Sequence, residues 1–154
     1  MNYHNIGYTE IMRIAISSCL CGLNVRYDGS SKYDRELLEL IRNHELVTIC
    51  PELEAGFSVP RESLEIRDGR VFTSSGKDVS DQLESGCLRC LEKVRDCDFL
   101  ILKQKSPSCG KGTIYDGSFS GKLIEGNGAF AGLCLEHGLK VFSEEEIDAI
   151  RKEL

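Results

Sequence analysis

The chain has 154 residues, enough for one domain with a sizeable buried core, and its 19 Lys and Arg against 25 Asp and Glu give a net charge of −6. No stretch gathers more than a few basic residues, so a phosphate-backbone binder's footprint is missing and a polynucleotide is not an expected ligand. No apolar run reaches the roughly 18 residues that span a bilayer, and the opening MNYHNIGYTEI lacks the basic start and apolar core of a signal peptide; the expectation is a cytoplasmic protein with no membrane partner.

In chain order, residues 1–12 read as a polar N-terminal extension and 13–154 as a single domain. RIAISS (13–18) is a short apolar run of the kind that forms a buried strand, followed by the Gly/Asp/Ser-rich loop CLCGLNVRYDGSSK. A helix is expected over DRELLELIRNH, with Leu37, Leu38 and Ile41 on one face. LVTI (46–49) is a second strand that must stop at Cys50-Pro51, since proline has no amide for the ladder, and a long loop is expected beyond it. LEIRDGRVFT alternates around Asp68-Gly69, the signature of a tight hairpin, and VSDQLESGCLRCLEKVRDC has helical spacing through Leu83, Cys87, Leu91 and Val94. FLILK (99–103) is the third buried strand, followed by the loop SPSCGKGTIYDG, in which Cys109 is expected to be exposed. GAFAGLCLEHG reads as a helix ended by Gly138, KVF as a strand, and Ser143 with Glu146 as the capping box of a final helix.

Strands alternating with helices predict a Rossmann-like, three-layer α/β domain with a mainly parallel sheet covered on both faces. Strand-to-helix loops then share one edge of the sheet, where ligands bind at the switch in strand order. Cys19, Cys50 and Cys109 each follow one of the first three parallel strands, and they converge if strand one lies between strands two and three. Eight cysteines in a reducing compartment argue for metal binding or catalysis over disulfides. The convergent set has no close pair of the kind structural zinc sites use, whereas a 4Fe-4S cluster tolerates ligands on distant loops and, with three of them, keeps one iron open for substrate. Cys21 is a weaker ligand candidate. Cys87, Cys90, Cys97 and Cys134 read as core residues, and His4, His44 and His137 as surface residues.

Other polar groups share these loops. Glu52, two residues after Cys50, is a candidate general base for water, against the plainer reading of a solvated loop glutamate. Ser106 and Ser108 suit either hydrogen bonding to a substrate or serine turns. Arg26, Tyr27 and Asp28 are candidate substrate-binding residues that equally suit ordering a loop, and Lys103 either turns its charge into the crevice or snorkels out of the core.

The runs SSCLCGLNVRYDG, CPELEAGFSVPRESLEI, GKDVS and LKQKSPSCGKGTIYDGSFSGKLIEGNGAFA, spread from about residue 13 to 144, resemble the thiouracil desulfidase (TudS) family. The resemblance implies an oxygen-sensitive 4Fe-4S cluster held by Cys19, Cys50 and Cys109, whose open iron takes the substrate sulfur in a non-redox desulfuration. It implies an acid–base role for Glu52 and a hydroxyl partner at Ser108, with Ser106 second. The expected substrate is a small thiolated heterocycle, 2-thiouracil or 4-thiouracil, converted to uracil with release of sulfide by a monomer or homodimer. The competing readings are a sulfur or iron–sulfur cluster carrier without free-substrate turnover, and a metal-free small-molecule binding domain.

Overall fold

The computed structural model describes residues 10–154; most of the expected N-terminal extension, and His4, lie outside the described residues. Its centre is a four-stranded parallel sheet of β1 (Arg13–Ser17), β2 (Glu45–Ile49), β5 (Phe99–Leu102) and β8 (Val141–Ser143), in the order β2-β1-β5-β8. Side chains alternate across the pleat, so each inner strand feeds two cores. Ile14, Ile16, Phe99 and Ile101 pack on one face with Leu37 and Ile41 of α1 (Arg35–Ile41) and Ile150 of α5 (Ile147–Glu153). Ala15, Leu100 and Leu102 pack on the other with Leu83, Cys87, Leu91 and Val94 of α3 (Ser80–Val94) and Phe130, Ala131 and Cys134 of α4 (Ala129–Glu136). All four residues of β5 are buried, which is why FLIL is apolar without alternation.

The helix signals are local. Asp34 caps α1 by accepting the Leu37 amide, and Gly138, at φ +73°, supplies the left-handed residue that ends α4. Asp68 and Gly69 both have positive φ and close the hairpin of β3 (Leu64–Arg67) and β4 (Arg70–Thr73). Glu146 accepts the Ser143 amide as the capping-box spacing requires, but the Ser143 hydroxyl accepts from Glu145, and α5 starts only at Ile147.

Two further expectations are corrected. The stretch after Cys50 is not simply loop: Pro51 ends β2 and starts the short helix α2 (Pro51–Glu54), because a fixed φ and a missing amide suit a first helical position as well as they end a ladder. The region after Cys109 holds a small antiparallel hairpin, β6 (Thr113–Tyr115) with β7 (Leu123–Glu125).

With β1 between β2 and β5, the chain leaves β1 to one side for β2 and returns past it to reach β5. That reversal opens a crevice at the carboxyl ends of β1 and β5, the place where open α/β sheets bind ligands.

Candidate active site

A cavity of about 740 Å³ occupies this crevice, and Cys19, Cys50 and Cys109 all line it. Cys19 lies in a single 3-10 turn, Ser18–Cys21, that follows β1 and closes on Gly22 at φ +90°. Cys50 is the residue between β2 and α2. Cys109 sits in the loop after β5, and this loop is clamped: the Gly128, Ala129 and Phe130 amides at the start of α4 donate to the carbonyls of Gly110, Pro107 and Ser108. A side chain at Gly128 would come within 2.6 Å of the Ser108 carbonyl, so glycine is required for that approach. The clamp explains why Cys109 is buried, at 4% exposure, where loop composition predicts an exposed residue.

The three sulfurs share one electrostatic environment. Burial pushes the Cys19 thiol up to about 11 against the pull of Lys103 and Arg26, and charge on Cys50 raises it further. Burial likewise raises Cys50, opposed by the Leu53 amide of α2. Cys109 stands well above the usual thiol range because it is buried; hydrogen bonding from Ser17 opposes this, and charge on Cys19 and Cys50 adds to it. Among the described residues no three His, Cys, Asp or Glu side chains are grouped to hold one metal ion. Three thiols on separate loops around one cavity are instead a donor set that fits a polynuclear iron–sulfur cluster, whose ligands bind different irons.

Glu52 is not a solvated loop residue. It lies on α2 with 9% exposure; its Oε2 accepts from the Ser108 hydroxyl at 3.1 Å and its Oε1 pairs with Arg61 Nε at 3.0 Å. Ser108 Oγ in turn lies 3.0 Å from Ser106 Oγ and 3.8 Å from the Cys109 sulfur. Ser106 accepts the Ser108 and Cys109 amides, so the serine turn and the chain of hydroxyls coexist. Arg26, Tyr27 and Lys103 line the cavity; Lys103 pairs with Glu144 at 2.9 Å rather than snorkelling free. Asp28 is exposed and off the cavity, accepting the Ser30 amide and hydroxyl as a loop-ordering residue does.

The remaining candidates sort by burial. Cys87, Cys90 and Cys134 are core, Cys97 is half-buried against the same core, and Cys21 packs beside the opposite face without reaching the cavity. All eight cysteines are free. His137 is exposed, whereas His44 is half-buried and accepts the Met12 amide.

Arg61 is the residue that sequence reasoning missed. Its side chain is 7% exposed, and besides Glu52 it donates to the carbonyls of Ser58 and Val25, tying the loop after β1 to the segment before β3. Nothing in periodicity or spacing marks it; its only signal is membership of the CPELEAGFSVPRESLEI run.

Gly86 of α3 seats α2. A Cβ there would lie 2.6 Å from the Ala55 amide and closer still to the Pro51 carbonyl, both backbone atoms of the segment that carries Cys50 and Glu52. Gly86→Ala is therefore expected to push α2 outward, costing about 1–3 kcal/mol as overpacking does and lowering iron retention, measured by thermal unfolding and iron analysis. Unchanged values of both would remove the seating role.

An α/β protein whose sheet switch point gathers three cysteines and a buried carboxylate–serine pair carries the groups an enzyme site needs, thiols able to hold a metal cluster and a carboxylate able to move a proton. The family model described as 2-thiouracil desulfurase matches residues 14–146, and the chain belongs to that family. It is 40% identical over 149 residues to a Bacillus subtilis (strain 168) protein described as uncharacterized protein YbbK, covering 89% of this chain and 99% of that one. Its fold is similar to the solved structure of the [4Fe-4S]-dependent thiouracil desulfidase TudS, with a TM-score of 0.84 and 37% identity over 90% of this chain and 94% of the other.

Proposed function

We propose that this protein is a [4Fe-4S]-dependent desulfidase that replaces the sulfur of a small thiocarbonyl heterocycle by oxygen, with 2-thiouracil and 4-thiouracil as model substrates. The observation that carries the reading is the hydrogen-bonded Glu52–Ser108 pair in the same cavity as Cys19, Cys50 and Cys109. These three cysteines would hold the cluster. Bound there, a cluster with three protein ligands supplies an open iron, a Lewis acid toward the thiocarbonyl sulfur.

The other steps fall to side chains. Glu52 takes a proton from water as the water oxygen bonds to the thiocarbonyl carbon. Arg61 fixes the carboxylate from its far side and leaves Oε2 facing Ser108. Ser108 passes the proton toward the departing sulfur, with Ser106 holding its hydroxyl in line. The second proton of the water leaves the new hydroxyl as C=O forms and follows the first to the sulfur, so the C=S bond becomes C=O, one water is consumed, hydrogen sulfide leaves, and no electrons are transferred. Arg26, Tyr27 and Lys103 bound the space for the heterocycle.

Anaerobic reconstitution, followed by iron and sulfide analysis and a sulfide-release assay with both thiouracils and no partner protein, tests the reading. The expected result is about four irons per chain and catalytic release of sulfide. A loaded protein without turnover would favour the carrier, and a folded protein that takes up no iron would overturn the cluster itself.

A further inference from the structure

One cavity wall is a short strap, the turn 116–122 between β6 and β7. Its central residue, Phe119, lines the cavity with φ +56°, a left-handed backbone conformation that aromatic residues rarely adopt. The strap is held in place from three directions. Glu65 of β3 accepts both the Gly117 and Phe119 amides through Oε1, at 3.0 and 3.1 Å. Gly117 lies against β3 so closely that a Cβ would sit 2.7 Å from the Ile66 carbonyl. Asp116 accepts the Ser118 amide and hydroxyl, closing the turn on itself. A carboxylate held by two backbone amides and a backbone at positive φ fix the turn that carries Phe119, and Phe119 lines the cavity.

Resting on the desulfidase reading, we propose that Phe119 is a specificity-determining residue whose ring stacks on the planar heterocycle, and that Glu65 is the positioning residue that presents it. A fixed aromatic wall favours flat, conjugated thiocarbonyl substrates, because the stacking face exists before substrate arrives. Neither residue belongs to the proton path from Glu52 to Ser108, so their loss acts on binding rather than on the chemical step.

The test compares wild type with Phe119→Leu, which keeps an apolar side chain but removes the ring, all reconstituted anaerobically to equal iron. Stacking on a base supports an expected rise of about tenfold in KM for 4-thiouracil, with kcat changed less than twofold. Glu65→Ala is expected to raise KM to a similar extent, and the double variant to be no worse than either single one, since both act through the same ring. Equal KM values for wild type and Phe119→Leu, or a fall in kcat at unchanged KM, would overturn the assignment. Equilibrium binding of 4-thiouracil, followed by calorimetry on the same proteins, separates this inference from the reading beneath it. A tenfold weaker Kd for Phe119→Leu in a protein that releases no sulfide sinks only the desulfidase reading, whereas equal Kd values sink the Phe119 assignment whatever the turnover.

Discussion

A Cys50→Ser protein reconstituted anaerobically should retain little or no iron and release no sulfide from 4-thiouracil, while folding at least as well as wild type before reconstitution. The two halves of this outcome have separate causes. Serine oxygen is a hard donor that stays protonated at neutral pH, so it is a poor substitute for thiolate toward iron in a sulfide cluster. Cys50 also holds the N-cap position of α2, with extended backbone (φ −143°, ψ 102°) and no side-chain cap hydrogen bond. Serine is a preferred residue at that position, and its oxygen can accept an amide of the first turn, worth about 0.5–1 kcal/mol. Iron content should therefore collapse while the thermal midpoint of the cluster-free protein holds or rises. Destabilisation in step with iron loss would mean that Cys50 is a packing residue, and full iron loading would remove it from the ligand set.

Glu52→Gln addresses chemistry instead of assembly. The amide can still accept from Ser108, so the cavity keeps its shape and its iron, but it cannot take a proton from water. Loss of a positioned general base costs on the order of 10²–10⁴ in rate, and kcat should fall by that much at near-normal iron content. The variant also leaves the buried Arg61 guanidinium without its counter-charge, and breaking a buried pair costs about 3–5 kcal/mol. The carbonyls of Ser58 and Val25 remain as acceptors for Arg61, which places the expected loss at the lower end of that range. Assays belong well below the unfolding transition. Glu52→Asp separates the two effects: it restores the negative charge and part of the stability, but a carboxylate one methylene shorter cannot reach Ser108 and Arg61 in the same geometry. Full turnover by Glu52→Gln would end the general-base assignment.

The residues that were legible carry their reasons within a few positions of themselves. FLIL is apolar throughout because a central strand is covered on both faces, Asp68-Gly69 turns because both residues accept positive φ, and Cys50 stands where the proline after it must stop β2. Pro51 shows the limit of such reasoning. The same fixed φ that ends β2 begins α2, and only packing against α3 at Gly86 selects the helix. Cys109 shows it again, since its burial comes from the start of α4 in space and not from its own loop.

The sequence by itself determined the alternation of strands and helices, the residues that end them, and three cysteines beyond three strand ends, because periodicity, proline and glycine act through neighbouring residues. Only the tertiary structure decided that Glu52 meets Ser108 across 56 positions, that Arg61 holds Glu52, and that Glu65 accepts the Phe119 amide from 54 positions away. Those contacts depend on the strand order β2-β1-β5-β8 and on which faces the helices cover, which follow from burying all the apolar surface at once and leave no local pattern in the chain.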